Sequence, residues 1–374
     1  MRINRVDAFP LAYTEPNDCD STRHLLLVRV EGASGVCGWG EAVTIWPEPT
    51  LAAAEIVRGG LAAVVLGREV EDVEALWLAQ RDHMWWYGDS GIGCFALSAL
   101  DMALWDLKGK ALGQPLHRLL GGKVTERVRA CASSHPNKAT IDALAAELAD
   151  MAGQGYTALK VGFGKKGAAR LGQDMRRDLD FVAAVRAAIG PDVDFMVDIG
   201  YKVRYEVMQA VRVVRGFEQH DIRWIEDPLP YEDWDGYLRL RDAIQTPIAT
   251  GERLWTVNDY RRLIERGIGD IVLVDAGRAE GVTGWQRVSR LLHAAGRHVN
   301  AHAWSGAVLT AASLHLTATA PNHIIFELKP KQSPVQFDLV DRPVEQHGGW
   351  VEVRDTPGIG VEVDEAALKR HLMR

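Results

Sequence analysis

Five polar residues in the second half of the chain have the types and the spacing of an active site. Asp198, Glu226, Asp275 and His302 each follow directly after a short apolar segment, and Glu252 comes two residues after another. The intervals between them are 28, 26, 23 and 27 residues. So regular a spacing indicates successive copies of one structural unit, which would bring the five side chains to one side of the fold.

The first three of these residues predict a metal site. Asp198, Glu226 and Glu252 would place three carboxylates around one point, and their mutual repulsion would protonate some of them unless a counter-ion were present. A divalent cation removes that repulsion. Because the set offers only oxygen atoms, with no Cys or His, it suits Mg²⁺ better than Zn²⁺. One such acid alone would more simply cap the following helix, but three in succession favour the metal site.

Four further residues predict proton-transfer and anion-binding groups. Asp275 and His302 would lie on adjacent strands, where a carboxylate fixes the tautomer of an imidazole and raises its basicity. Lys160 lies in the apolar segment 158–164 and would point inward, to bind an anionic substrate or, with a lowered pKa, to act as a base. Glu327 follows another apolar run, and a carboxyl group there could stay protonated and donate to a developing oxyanion.

The segments that precede these residues predict short buried strands alternating with amphipathic helices. The predicted strands span residues 194–197, 222–225, 247–250, 271–274 and 298–301. The predicted helices span residues 205–219, 234–244, 257–266 and 284–295. This alternation is typical of βαβ units in a parallel sheet.

The repeat favours an eight-fold α/β barrel, in which one βα unit takes roughly 25 residues and the active site lies at the carboxyl ends of the strands. The alternative is an open doubly wound sheet, which usually carries a G-x-G-x-x-G turn after a strand; the sequence has none there. The N-terminal region differs. Strands at 25–30 and 36–39 precede helices at 51–65, 70–84 and 95–110, a pattern that predicts a separate α+β unit.

The composition and the net charge of the chain disfavour some classes of protein, such as nucleic-acid-binding and membrane-spanning proteins. The chain has 374 residues, 47% hydrophobic and 25% charged, with a net charge of −7. Such values are typical of a globular protein with a large core. An acidic chain does not favour nucleic acid as a partner. No membrane-spanning run and no signal peptide are predicted, and four isolated cysteines predict buried reduced thiols, so we expect a cytoplasmic protein.

Several stretches resemble the enolase superfamily and, within it, the mandelate racemase subgroup. They are residues 99–110 (ALDMALWDLKGK), 119–122 (LLGG), 224–228 (WIEDP), 250–252 (TGE) and 281–285 (GVTGW). The resemblance extends over essentially the whole chain. It implies a modified TIM barrel, (β/α)7β, beneath an α+β capping domain. We expect the cap at 1–130, completed by the tail 341–374, and the barrel at 131–340.

The resemblance also implies roles for the candidate residues. Asp198, Glu226 and Glu252 match the ligands of one essential Mg²⁺, and Asp275 and His302 match the catalytic pair of the subgroup. Glu327 matches a carboxyl group that faces the enolate oxygen. Members of the family abstract a proton α to a carboxylate. The muconate-lactonizing branch has a lysine at the position of Asp275, so that branch is disfavoured.

One departure from the family pattern concerns a Lys-x-Lys motif on the second barrel strand. Aligned from Gly155 and Tyr156, Lys160 takes the first lysine position and Gly162 the second. Aligned from the following glycine, Lys160 becomes the second lysine and Ala158 replaces the first. The first register is favoured, because residues two apart on a strand point the same way and both 160 and 162 would face the barrel.

The missing lysine favours a dehydratase. If Gly162 replaces a second base, His302 can still remove the α-proton, and its conjugate acid can protonate a departing hydroxyl. We therefore predict a sugar-acid dehydratase that forms a 2-keto-3-deoxy acid. The alternatives are a racemase or epimerase of a 2-hydroxy acid, with Lys160 as the opposing base, and a non-catalytic binding protein on the same fold.

The partners are predicted from the same residues. We expect a small anionic substrate, a sugar acid, and neither nucleic acid nor membrane; the resemblance suggests a homo-oligomer.

Polar or aromatic side chains just past strand ends are candidate substrate-binding residues: Tyr201, Lys202, Arg204 and Trp304. Weaker candidates in the cap are Arg23, His24 and Trp46. The pairs Lys165–Lys166 and Arg176–Arg177 are interpreted as solvated helix surface.

Overall fold

The computed structural model describes residues 1–373. Its N-terminal part has a three-stranded antiparallel sheet of order β1-β2-β3. The strands are β1 (Ile3–Glu15), β2 (Ser21–Gly32) and β3 (Cys37–Ile45). Five helices follow: α1 (Pro47–Ile56), α2 (Ala62–Val65), α3 (Val73–His83), α4 (Ile92–Leu112) and α5 (Leu116–Leu119). These elements form the predicted α+β cap.

The helix predicted at 51–65 is divided into two. A π-helical turn, Val57–Leu61, lies between α1 and α2 and contains Gly59 and Gly60. Two adjacent glycines weaken a regular helix, because each loses more conformational freedom on folding than other residues do. The apolar pattern across this region predicted its helical character but not the irregular turn within it.

The rest of the chain forms a nearly closed parallel barrel of eight strands. The strands are β4 (Arg127–Ser134), β5 (Ala158–Gly162), β6 (Asp194–Asp198), β7 (Ile222–Glu226), β8 (Ile248–Thr250), β9 (Ile271–Val274), β10 (His298–Ala301) and β11 (Phe326–Leu328). They pair in chain order from β4 to β10, and β11 pairs with β4. A parallel bridge between Val299 and His323 lies at the remaining seam.

Seven helices connect these eight strands. They are α6 (Ile141–Gly153), α7 (Met175–Ile189), α8 (Val207–Phe217), α9 (Trp234–Arg241), α10 (Val257–Glu265), α11 (Gly281–Ala294) and α12 (Ala307–Thr319). The (β/α)7β architecture predicted from the sequence is thus confirmed. The five strands predicted between residues 194 and 301 differ from the observed ones by at most one residue at either end, whereas the cap strands predicted at 25–30 and 36–39 are shorter than β2 and β3.

The register of the strands places the candidate residues at one level. Gly162 on β5 is opposite Asp198 on β6, and Asp198 is opposite Glu226 on β7. Because parallel strands end on the same face of a barrel, these positions share its mouth. Asp275 and His302 come directly after β9 and β10, so they lie on the same face.

The C-terminal part returns to both halves of the molecule. After α13 (Pro334–Phe337), strand β12 (Trp350–Glu352) pairs antiparallel with β4 of the barrel. The last helix, α14 (Glu365–His371), packs on β1 of the cap, where Leu372 bridges Leu11. The tail therefore contacts the barrel as well as the cap.

Buried hydrogen bonds join the cap to the barrel. Asp101 on α4 accepts from the backbone N–H and the hydroxyl of Thr283 on α11, at 2.9 and 2.8 Å. The indole of Trp105 donates to the same hydroxyl at 2.9 Å. Burial raises the pKa of Asp101 to about 7, against the lowering effect of the hydrogen bonds from Thr283.

Two further predictions concern membrane spans and cysteines. Among residues 1–373, no helix combines the length and the apolar character needed to cross a bilayer.

All four cysteines carry free thiols, but the expectation that all are buried is only half right. Cys94 and Cys131 are buried, whereas Cys19, in the connection between β1 and β2, and Cys37, the first residue of β3, are partly exposed.

Candidate active site

A histidine–aspartate pair lies at the mouth of the barrel. The Nδ1 atom of His302 is 2.5 Å from Oδ2 of Asp275, which is fully buried. The other carboxylate oxygen of Asp275 accepts from the backbone N–H of Gly277 at 2.7 Å. Asp275 is therefore held in place from one side while it orients the imidazole on the other.

The second ring nitrogen of His302 faces a candidate metal ligand. Its Nε2 atom lies 3.3 Å from Oε2 of Glu252. Burial alone would lower the pKa of His302, but the carboxylates of Glu252 and Asp275 outweigh it and raise the pKa to about 9. Burial would likewise raise the pKa of Glu252, but His302 and Arg253 hold it at about 2. The two residues thus form a charged pair.

The three candidate metal ligands lie at or just past the carboxyl ends of β6, β7 and β8. Glu226 is fully buried, and Asp198 and Glu252 are half-buried. Burial raises the pKa of Asp198 and of Glu226, with the neighbouring carboxylates adding to the rise. The pKa of Asp198 and that of Glu226 stay raised although nearby lysines lower them. The positive charge of those lysines therefore does not fully compensate the two carboxylates.

The side chains fit a hard divalent cation in their chemistry. Within the described range, no three Asp, Glu, His or Cys side chains lie close enough together to coordinate one metal ion as they stand. Glu226 instead lies 2.7 Å from Nζ of Lys160 and accepts from the indole of Trp224 at 3.3 Å. Buried carboxylate oxygens that lack full neutralisation are nevertheless the donors that Mg²⁺ takes. Asp198, Glu226 and Glu252 are the residues that would hold it.

Lys160 and Glu327 form a second buried ion pair. Nζ of Lys160 lies 2.6 Å from Oε1 of Glu327 and contacts Glu226 as well. Burial lowers the pKa of Lys160, but the two carboxylates outweigh it and raise the pKa well above its ordinary value. Lys160 is therefore a cation here, held between Glu226 and Glu327.

An aromatic wall links the cap to the barrel mouth. The indole of Trp304 is buried and stacks on His135 with ring centroids 4.4 Å apart, while the guanidinium of Arg23 lies 4.5 Å from its centre. Its N–H donates to the carbonyl of Ser133 at 3.3 Å. Asp18 pairs with Arg23 at 2.8 Å and lies 3.5 Å from Nδ1 of His135. The indole N–H of Trp304 is therefore already engaged and is not free to donate to a substrate.

The other predicted substrate-binding residues lie together on the loop after β6. Tyr201, Lys202 and Arg204 are all exposed. The ring of Tyr201 lies beneath the guanidinium of Arg253, at 4.7 Å, and near that of Arg204, at 5.5 Å. Arg253 in turn lies 3.2 Å from Asp227. Tyr201 therefore connects to the carboxylates through Arg253, whereas Lys202 has no ion pair or side-chain hydrogen bond within residues 1–373 and Arg204 contacts only the Tyr201 ring.

The interpretation of Lys165 as helix surface is wrong. Residues 163–174 form an irregular loop between β5 and α7, and Lys165 is half-buried within it. Its side chain folds back over Gly162, so that a Cβ atom on residue 162 would lie 2.8 Å from Cε of Lys165. Burial lowers the pKa of Lys165, opposed by the attraction of Asp198. Lys166 is exposed, as expected.

Sequence reasoning missed four charged or titratable side chains of the site: Asp227, Arg253, His135 and Lys165. The signal for His135 was present, because it follows β4 as His302 follows β10. Burial lowers the pKa of His135 to about 3, so its ring is neutral. Asp227 follows Glu226 in the sequence, and Arg253 follows Glu252. These positions place both residues near the site, but no sequence pattern assigns them a role.

Comparison with known proteins gives two family matches. Residues 14–121 match the mandelate racemase / muconate lactonizing enzyme N-terminal domain. Residues 143–367 match the enolase C-terminal domain-like family. The two matches correspond to the cap and to most of the barrel.

Individual relatives are similar over nearly the whole of this chain and over most of their own length. A D-gluconate dehydratase of Thermoproteus tenax is 33% identical, covering 96% of this chain and 72% of the relative. A D-galactarolactone cycloisomerase of Agrobacterium fabrum is 30% identical, covering 93% and 91%. A racemase of Streptomyces coelicolor A3(2), whose crystal structure has bound magnesium, superposes with a TM-score of 0.87 at 26% identity, covering 99% and 100%.

Proposed function

Because the chain belongs to the mandelate racemase / muconate lactonizing enzyme family of the enolase superfamily, we propose that it is a Mg²⁺-dependent acid-sugar dehydratase. It removes the proton α to the carboxylate of a sugar acid and eliminates water to give a 2-keto-3-deoxy acid. The observation that carries the proposal is the contact of His302 with the buried Asp275 and with Glu252, at the barrel mouth where Asp198 lies opposite Glu226.

His302 is the proposed general base and general acid. Asp275 at Nδ1 fixes the tautomer, so Nε2 is the atom that takes the α-proton. The imidazolium then returns a proton to the hydroxyl on the β-carbon. The C–H and C–O bonds break, the carbon–carbon double bond forms, and water leaves. The resulting enol tautomerises to the keto acid.

The metal requirement follows from the charge of the site. When bound by Asp198, Glu226 and Glu252, Mg²⁺ would supply positive charge to stabilise the negative charge that develops on the substrate carboxylate. With the ion bound, the negative charge of Glu252 would be partly neutralised. The Glu252 carboxylate would then raise the pKa of His302 less than it does without the ion. That change favours the neutral imidazole which the mechanism needs.

The environment of Lys160 supports a dehydratase over a racemase that uses Lys160 as a base. Its ammonium lies between Glu226 and Glu327, and both carboxylates hold its proton. While both carboxylates stabilise its ammonium form, Lys160 is poorly suited to take a proton from carbon. Dehydration needs only His302, so it agrees better with the observed contacts.

A second candidate is a cycloisomerase, favoured by the 30% identical relative that carries this name. The first step would be the same removal of the α-proton by His302. The leaving group would then be a ring oxygen of a sugar-acid lactone, which stays attached to the product. The two reactions differ in mass balance, since only dehydration loses water.

The test is a mass-spectrometric screen of aldonic acids, aldaric acids and their lactones with the purified protein and MgCl₂. Dehydratase activity gives a product lighter by one water, whereas a cycloisomerase gives a product of unchanged mass. Chelation of Mg²⁺ and the variant His302→Asn should each abolish the product. Absence of both kinds of product from every acid would contradict the proposal. Light scattering on the same sample checks the predicted homo-oligomer.

A further inference from the structure

A lysine from a loop occupies the space above the end of β5. Gly162 is the last residue of β5 and lies opposite Asp198 in the sheet. A Cβ atom there would lie 2.5 Å from Cδ2 of His135 and 2.8 Å from Cε of Lys165. These distances are too short for real contacts, so a side chain at residue 162 and the observed position of Lys165 exclude each other.

We propose that Lys165 is an anion-binding residue of the active site that contacts the substrate on the side facing away from His302. It takes the place of a side chain on residue 162, and glycine is required there to admit it. The inference rests on the proposed function, because it assigns a further contact to the same acidic substrate.

The surroundings of the Lys165 ammonium differ from those of Lys160. Lys160 has two carboxylates within 2.7 Å. Within residues 1–373 no ion pair at 4.0 Å or less includes Lys165; the carboxylates of Asp198 and Glu252 attract it from farther away. A half-buried ammonium without a close partner is costly. A bound carboxylate would supply that partner.

The position of Lys165 around the barrel sets the side from which it acts. It lies above β5, whereas His302 follows β10, which is three strands away in one direction and five in the other. The two side chains therefore approach the barrel mouth from nearly opposite sides. A small acid bound between them would meet the imidazole on one face and the ammonium on the other.

The test measures binding of tartronate, a small α-hydroxy dicarboxylate, to the full-length protein by isothermal titration calorimetry in excess MgCl₂. Lys165→Met should weaken binding by about 10- to 100-fold, as expected for loss of a charge-assisted hydrogen bond. Lys165→Arg keeps the charge and should restore most of the affinity. The matched control is Lys166→Met, which removes the neighbouring exposed lysine and should bind as the wild type does.

A second variant tests the geometry without changing charge. Gly162→Ala pushes Lys165 and His135 from their positions and should also weaken tartronate binding, whereas thermal unfolding shows whether each variant is folded. Unchanged affinity in Lys165→Met, or a wild type that does not bind tartronate, overturns the inference. If Lys165→Met loses binding but the wild type converts no sugar acid, the proposed function fails and this inference stands. If the wild type is an active dehydratase and Lys165→Met binds normally, only the inference fails.

Discussion

Nδ1 of His302 lies 2.5 Å from Oδ2 of Asp275, a carboxylate with no exposed surface. The contact joins the ends of two adjacent parallel strands, β9 and β10. It leaves Nε2 as the ring atom that faces the carboxylate cluster. A base held in one tautomer, beside a site that can neutralise a substrate carboxylate, is suited to removing a proton from an acidic carbon.

Replacement of His302 by Asn should lower kcat/KM for the accepted acid by about 10³-fold, because the general base is lost. Asp275→Asn should lower it by about 10²-fold or more, because the imidazole can then adopt the wrong tautomer. Steady-state kinetics measures both. Neither change should prevent Mg²⁺ binding, which calorimetry checks; activity within a few fold of wild type in either variant would argue against the assigned roles.

The charge of His302 predicts a pH dependence of stability in the metal-free protein. Its pKa in the folded state is about 9, above the ordinary value of 6.5. The protonated ring therefore stabilises the fold fully below pH 6.5, and this contribution is lost as the pH rises through 9. The loss amounts to roughly 3 kcal/mol.

Urea unfolding of the wild type and of His302→Asn in EDTA, between pH 6 and pH 10, measures this contribution. The difference between their free energies of unfolding should decrease as the pH rises. A difference that stays constant over this range would show that His302 is not protonated in the metal-free fold.

Removal of one proposed metal ligand should weaken Mg²⁺ binding. Asp198→Asn is expected to lower the affinity by at least about 10-fold, since one anionic oxygen donor is lost. The wild type should also unfold at a higher temperature with MgCl₂ than with EDTA, because a ligand that binds only the folded state stabilises it. Glu265→Gln, on the exposed surface of α10, is the control and should change neither result. Equal Mg²⁺ affinity in Asp198→Asn and wild type would remove Asp198 from the ligand set.

Lys160 should prove essential to the stability of the barrel mouth. Lys160→Met leaves Glu226 and Glu327 buried without their shared cation, which is expected to cost about 3–5 kcal/mol of unfolding free energy. Chemical denaturation measures the loss. The double variant Lys160→Met with Glu327→Gln should regain part of it, because one uncompensated carboxylate is removed. Full stability in Lys160→Met would show that the pair contributes little.

The barrel and the residues at its strand ends could be predicted from the sequence because both depend on local patterns. Each apolar segment from 194 to 301 ends at a polar residue, and the parallel-strand rule brings those residues to one face without any knowledge of contacts. The Asp275–His302 contact follows from the adjacency of two consecutive strands. For the same reason, the structure places Asp198 opposite Glu226.

The features that could not be predicted depend on tertiary contacts. Lys165 lies in a loop without periodicity, and its course is set by the missing side chain of Gly162 and by the ring of His135. The ion pairs of Lys160 join three different strands, so no local pattern shows whether this lysine is free or paired. Strand β12 pairs with β4 across more than 200 residues of sequence, which a reading of neighbouring residues does not show.

The most direct test of the central claim is a proton NMR experiment on the reaction in D₂O with MgCl₂ and the sugar acid that the screen identifies. We expect a 2-keto-3-deoxy acid with one deuterium at C3, no deuterium at C2 of the remaining acid, and no reaction with His302→Asn. Recovery of the starting acid with deuterium at C2 and no keto acid would contradict the account and indicate a racemase.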